Sequence, residues 1–203
     1  MSKKASAPHW RFWVIELDHA GGPALVAPFS KTPSEPVTSA RTPHARCLVN
    51  ALSTSPGGTI GAHLAASLFG LSTHSGPAPA PGCGCGWRAV SSPEVLLDED
   101  GEYGLANTPV CLYRESLSAT APHLIALTPV RLIGRTLPSP DDPGLRAERL
   151  ELLAIHLSPA AWWLPGLADQ LAARFSLPVS PIPGTEHLKR WRPPWGWDGV
   201  SPW

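Results

Sequence analysis

The sequence predicts an α+β protein: a short-stranded, mostly antiparallel sheet or partial barrel with a metal-stapled loop and two short helices. Three observations lead there. The 203 residues include 25 Pro and 18 Gly, too many for a bundle of long helices, because Pro fixes φ and lacks a backbone donor. Short runs rich in aromatic and β-branched residues alternate with turn residues, the pattern of short strands. Cys47, His74, Cys83 and Cys85 supply a set of thiol and imidazole side chains suited to one metal ion.

Taken in order, residues 1–8 are polar and expected to be disordered, residues 9–179 to form a single metal-stapled domain, and residues 180–203 to be a Pro/Trp-rich tail. Trp10–Leu17, a turn at His19–Gly22 and a second apolar run at Pro23–Pro28 predict a β-hairpin. A Pro-rich loop over 30–44 delivers the chain to Cys47. Ile60, Leu64 and Leu68, with Ala65 and Phe69, share one helical face between Thr59 and Gly70.

Beyond the Cys pair, residues 98–102 predict an acidic turn, and Thr108–Tyr113 and Leu124–Ile133 predict strands, with Pro109 and Pro129 at strand starts or edges. Leu145–Ile155 fits a helix and a strand equally, since its apolar spacing satisfies both periods. A second helix is expected over Pro165–Phe175, with Leu167, Leu171 and Phe175 on one face and Pro178 beyond its end.

Formal net charge is zero, so the whole-protein field offers no long-range attraction for DNA or an acidic membrane. No apolar stretch approaches the roughly 20 residues of a membrane span. The start, Met1–Pro8, lacks the apolar segment of a signal peptide, which points to the cytoplasm. There, reducing conditions disfavour disulfides, and four Cys are core thiols, reactive thiols or metal ligands.

Zinc favours thiolate and imidazole donors, and a structural site uses four protein ligands. Cys47, His74, Cys83 and Cys85 meet that requirement. Two sulfurs one residue apart need a turn that side chains would obstruct, consistent with Gly82, Gly84 and Gly86 around them. Two alternatives stand beside this set: buried structural thiols with no metal, and four thiolates with Cys111 replacing His74, which would also suit an iron–sulfur cluster. His63, inside the first predicted helix, competes with His74 but lacks the freedom of the Pro/Gly loop that follows His74.

These residues resemble a group of small proteins encoded by actinobacteria, their phages and plasmids. The likeness rests on Trp10–Trp13, Ala45-Arg46-Cys47, His74 followed by a Pro-containing stretch to Pro81, and Cys83-Gly84-Cys85-Gly86 with Trp87 and Ala89 after it. It continues through Val130–Gly134, Gly144-Leu145-Arg146-Ala147-Glu148 and Phe175–Val179. The chain departs from the group at Trp87, in the insertion over 48–72 and in the tail. The resemblance implies a shared zinc-bearing fold and a phage or mobile-element setting, and brings no activity with it. It also implies that Gly144–Glu148 is a strand whose Arg146 bonds the carbonyls of the metal loop. Read from the residues alone, Arg146 and Glu148 are an exposed charged pair, a solvated strand face or a structural ion pair.

The sequence contains no Walker A loop, dinucleotide Gly fingerprint, Gly-x-Ser-x-Gly elbow or His-Glu-x-x-His. No Glu stands beside His74 as a zinc deaminase would need. The expectation is therefore a non-enzymatic accessory protein that binds a protein partner or a nucleic acid, with a zinc-dependent hydrolase or deaminase-like enzyme as the alternative. Lys189, Arg190, Trp191, Arg192, Trp195 and Trp197 are the candidate binding residues, because cations interleaved with flat rings suit phosphates and bases, protein grooves, or the parent domain itself.

Overall fold

The computed structural model describes residues 7–27, 36–47, 74, 76–97, 124–139, 144–162 and 164–182. The helix expected over 59–69 with His63, the acidic turn at 98–102, the strand with Cys111 and the cluster from Lys189 to Trp197 lie outside the described residues. Seven strands are described: β1 (His9–Leu17), β2 (Pro23–Val26), β3 (Trp87–Ala89), β4 (Ile125–Pro138), β5 (Leu145–Leu152), β6 (Ile155–Leu157) and β7 (Val179–Pro181). Three helices accompany them: α1 (Glu94–Leu97), α2 (Pro159–Trp162) and α3 (Leu167–Phe175). The pairs β1–β2, β3–β5 and β4–β6 are antiparallel, and β6–β7 is parallel.

The described residues fall into two compact units, one drawn from 1–9, 41–91 and 130–151, the other from 10–40, 92–129 and 152–203. The second has an apolar core. The β1–β2 hairpin turns at Asp18–Gly22, where the Asp18 carboxylate accepts from the backbone N–H of Ala20 and Gly22 at 2.9 and 3.0 Å. β1 is also a neighbour of β4, β6 pairs with β4, and β7 pairs with β6. Trp13 is fully buried there, and its indole N–H, which needs a partner once out of water, donates to Thr128 Oγ1 at 2.8 Å.

In α3, Leu167, Leu171 and Phe175 recur every four residues and are the buried face, as their spacing predicts. The helix begins two residues later than expected. Gly166 holds a left-handed φ of 76°, which keeps it and Pro165 outside the helical turns. The expected tail starts too early: β7 runs to Pro181 and Ile182 is buried, its N–H donating to Leu157 O at 3.0 Å. Pro129 lies within β4 rather than at its start. Continuing the Ala126↔Leu157 and Leu127↔His156 register puts it opposite the break between β5 and β6, where a missing N–H costs no ladder bond.

The first unit is organised by β5, the segment whose period left helix and strand open. β5 lies between the later half of β4 and β3 in strand order, with Trp87, Arg88 and Ala89 opposite Ala147, Arg146 and Leu145. The segment before Cys47 follows the same strand, Thr42 N–H donating to Leu150 O at 2.9 Å and Ala45 N–H to Glu148 O at 2.8 Å. Among the described residues no helix is long and apolar enough to cross a membrane.

Candidate metal centre

β5 brings two distant loops together. Its bonds to residues 42–45 end two positions before Cys47, and its pairing with β3 begins two positions after Cys85. The approach to Cys47 is further held by Thr42, whose hydroxyl accepts the Leu150 N–H at 2.8 Å, and by Trp87, whose indole donates to Pro43 O at 2.9 Å. His44 Nδ1 lies 2.7 Å from Glu148 Oε1, and Glu151 pairs with both Arg41 and Arg131. None of these carboxylates points to the cysteines.

Between Pro77 and Gly86 the chain makes a tight turn closed by Cys83 N–H on Ala80 O at 3.3 Å. At Gly86, φ is 117°, and a Cβ there would stand 3.0 Å from Pro79 Cβ and 3.2 Å from Arg146 Cβ. Backbone geometry and crowding both require glycine at this position. Gly84 stands between the two cysteines in the chain.

The donor atoms of Cys47, His74, Cys83 and Cys85 all lie within 4.8 Å of one another, and the three cysteines are buried while His74 is half-buried. Cys47 Sγ and Cys83 Sγ are 3.8 Å apart, and His74 Nε2 is 3.3 Å from Cys85 Sγ. The other imidazole nitrogen, Nδ1, meets Gly76 O at 2.8 Å. A carbonyl there holds the proton on Nδ1 and leaves the Nε2 lone pair directed at the sulfurs, the usual outer support of a ligating histidine. This group is positioned to hold a metal ion.

Burial pushes the Cys85 thiol up to about 12, opposed by a hydrogen bond with the Ala80 backbone and reinforced by Cys83 and Cys47. Three thiols packed this closely ionise together only when a cation takes the place of their protons.

Arg146 is 3% exposed, which corrects its reading as an exposed partner of Glu148. Its neighbours Leu145 and Ala147 set an alternating strand pattern, but the face carrying Arg146 is covered by the cysteine loop rather than by water. Its Nη1 donates to the carbonyls of Cys83, Cys85 (3.0 Å) and Ala80 (3.4 Å), and Nε and Nη2 donate to Pro138 O at 3.1 and 2.9 Å. Glu148 instead faces His44 and closes over Gly134, where its carboxylate leaves no room for a Cβ. The contacts of Glu148 with His44 and of Glu151 with Arg41 escape sequence reasoning, because the partners are more than a hundred residues away along the chain.

No protein-family model, curated protein or solved structure matches this chain, so the reading of its metal centre rests on the geometry of the site.

Proposed function

We propose that this protein is a non-enzymatic binding protein whose cysteine-bearing unit is stapled by one zinc ion. The observation that carries the reading is the convergence of three sulfurs and one imidazole nitrogen within 4.8 Å, with the imidazole already oriented by Gly76. A tetrahedral zinc with bonds of about 2.3 Å to sulfur and about 2.0 Å to nitrogen has S···S edges of about 3.8 Å and S···N edges of about 3.5 Å. The Cys47–Cys83 and His74–Cys85 separations of 3.8 and 3.3 Å lie close to those edges, and every donor pair is within 4.8 Å. Zinc bound here by Cys47, His74, Cys83 and Cys85 supplies a structural crosslink, and four protein donors leave no coordination position for a reacting water.

The test is metal content and spectroscopy of the purified full chain. One zinc per chain is expected. Replacement by cobalt should give the visible bands of a tetrahedral site with thiolate charge transfer. A brown, iron-containing protein would favour a cluster using Cys111, and a cobalt spectrum of five-coordinate type would favour a hydrolase or deaminase-like site.

The partner is a protein or a nucleic acid met in phage or mobile-element biology. One observation favours nucleic acid: apart from the buried Arg146, the described residues of the cysteine-bearing unit include six Arg against two Glu, within a chain of zero net charge. Phosphate contacts exploit such a local excess. Binding of labelled single-stranded and duplex DNA at two salt concentrations tests it, and absence of binding at the lower salt leaves the protein partner.

A further inference from the structure

Arg146 is a buried cation, and among the described residues no carboxylate pairs with it. The residue is 3% exposed, and its guanidinium donates to carbonyl oxygens of Ala80, Cys83, Cys85 and Pro138. Carbonyls satisfy its donors but do not cancel its charge. A charge taken out of water without an opposite charge is strongly disfavoured. Cys83 and Cys85 contribute two of the carbonyls that Arg146 holds, so their sulfurs, when ionised, put negative charge within the same turn.

Resting on the zinc reading above, we infer that Arg146 is the counter-charge of the metal centre. A dication with three thiolates and one neutral imidazole carries one net negative charge, and the guanidinium beneath the turn offsets it, leaving the buried assembly neutral. The pairing works in both directions. The arginine favours full ionisation of all three cysteines around the metal, and the loaded metal site removes the cost of burying the arginine. It also explains why Arg stands here and not a neutral donor, since Gln would satisfy fewer carbonyls and supply no charge.

Three substitutions in the full chain separate charge from hydrogen bonding. Arg146→Lys keeps the cation and donors, Arg146→Gln keeps neutral donors, and Arg146→Met keeps neither. Zinc affinity, read by competition with a chromogenic chelator, should fall by less than roughly 10-fold in Arg146→Lys and by roughly 10–100-fold in both neutral variants, the range typical of outer partners of a metal site. Equal affinity in Arg146→Lys and Arg146→Gln would overturn the inference while leaving the zinc site standing. Should the variants not fold, the wild type still decides. Calorimetry in buffers of different ionisation enthalpy should count three protons released per zinc at a pH where the free thiols are protonated. Release of two would mean one thiol stays neutral and Arg146 has no counter-charge. A wild-type chain that takes up no zinc would remove the reading on which all of this rests.

Discussion

The two units of this protein are held by different physics. The apolar-core unit buries Trp13, Leu25, Leu127, Leu152, Ile155, Leu157 and Leu171 completely, and each such side chain contributes roughly 1.5–3 kcal/mol by leaving water. Among the largest fully buried side chains of the described residues, only Leu150 and Val130 belong to the cysteine-bearing unit. Among the described residues, the apolar cluster around its cysteines adds Ala78 and Ala80, with Ala45 at the margin, which bury little surface. What holds the loop is polar: the Arg146 fork, the Thr42 and Trp87 hydrogen bonds and, on the reading proposed above, a metal ion. One unit should therefore fold without help, and the other should depend on its ion.

The sharpest way to break this contrast is to remove the ion. Chelation, or Cys83→Ser, should abolish amide-exchange protection over 76–90 and 144–150 while residues 10–17 and 155–175 keep theirs. Structural zinc sites contribute about 10–16 kcal/mol in small domains, more than this unit's apolar core can replace. Uniform loss of protection in both stretches would show that the chain has a single cooperative core and no such division.

The converse experiment is Trp13→Ala. Loss of a fully buried indole and its bond to Thr128 should cost about 3–5 kcal/mol, seen as a lowered denaturation midpoint, with zinc stoichiometry unchanged. Loss of zinc in that variant would contradict the independence of the two cores. Next in size is Gly86→Ala, which forces a side chain into a φ of 117° against Pro79 and Arg146. Strain of about 1–3 kcal/mol should appear as faster zinc release, with exchange in residues 155–175 unaltered.

The smallest expected effect belongs to the apolar-core unit. Burial lowers the pKa of His156, with the Pro181 backbone opposing it slightly. The folded unit thus holds its proton less tightly than the unfolded chain. Its contribution to stability is complete above the ordinary histidine value near 6.5 and is lost as pH falls from there toward the lowered folded value. Exchange in β6 and β7 should quicken modestly over that acid window in the wild type, and His156→Gln should flatten the dependence. An unchanged slope would assign the acid sensitivity elsewhere.

Legibility differed between the units for related reasons. The hairpin and α3 follow from local patterns, β-branched and aromatic runs with a Gly turn in one case and Leu167, Leu171, Phe175 in the other. Cys83 and Cys85 are legible because Gly82, Gly84 and Gly86 mark a turn around them. Leu145–Ile155 stays open between helix and strand in the sequence, because its apolar positions satisfy both periods and only pairing with neighbouring strands selects one. Arg146 was misleading on its own: alternation along a strand says which side chains share a face, not what covers that face.

From residue types and spacing alone came the short elements, the donor chemistry and the candidacy of Cys47, His74, Cys83 and Cys85, since each depends on neighbours in the chain. Tertiary structure alone decided that β5 carries both loops to one point, that the imidazole faces the sulfurs and that Arg146 lies buried beneath them. The first and last of these rest on contacts between residues 63 and 108 apart in the chain. No local period encodes such a meeting, because its free energy exists only once the sheet has closed the distance.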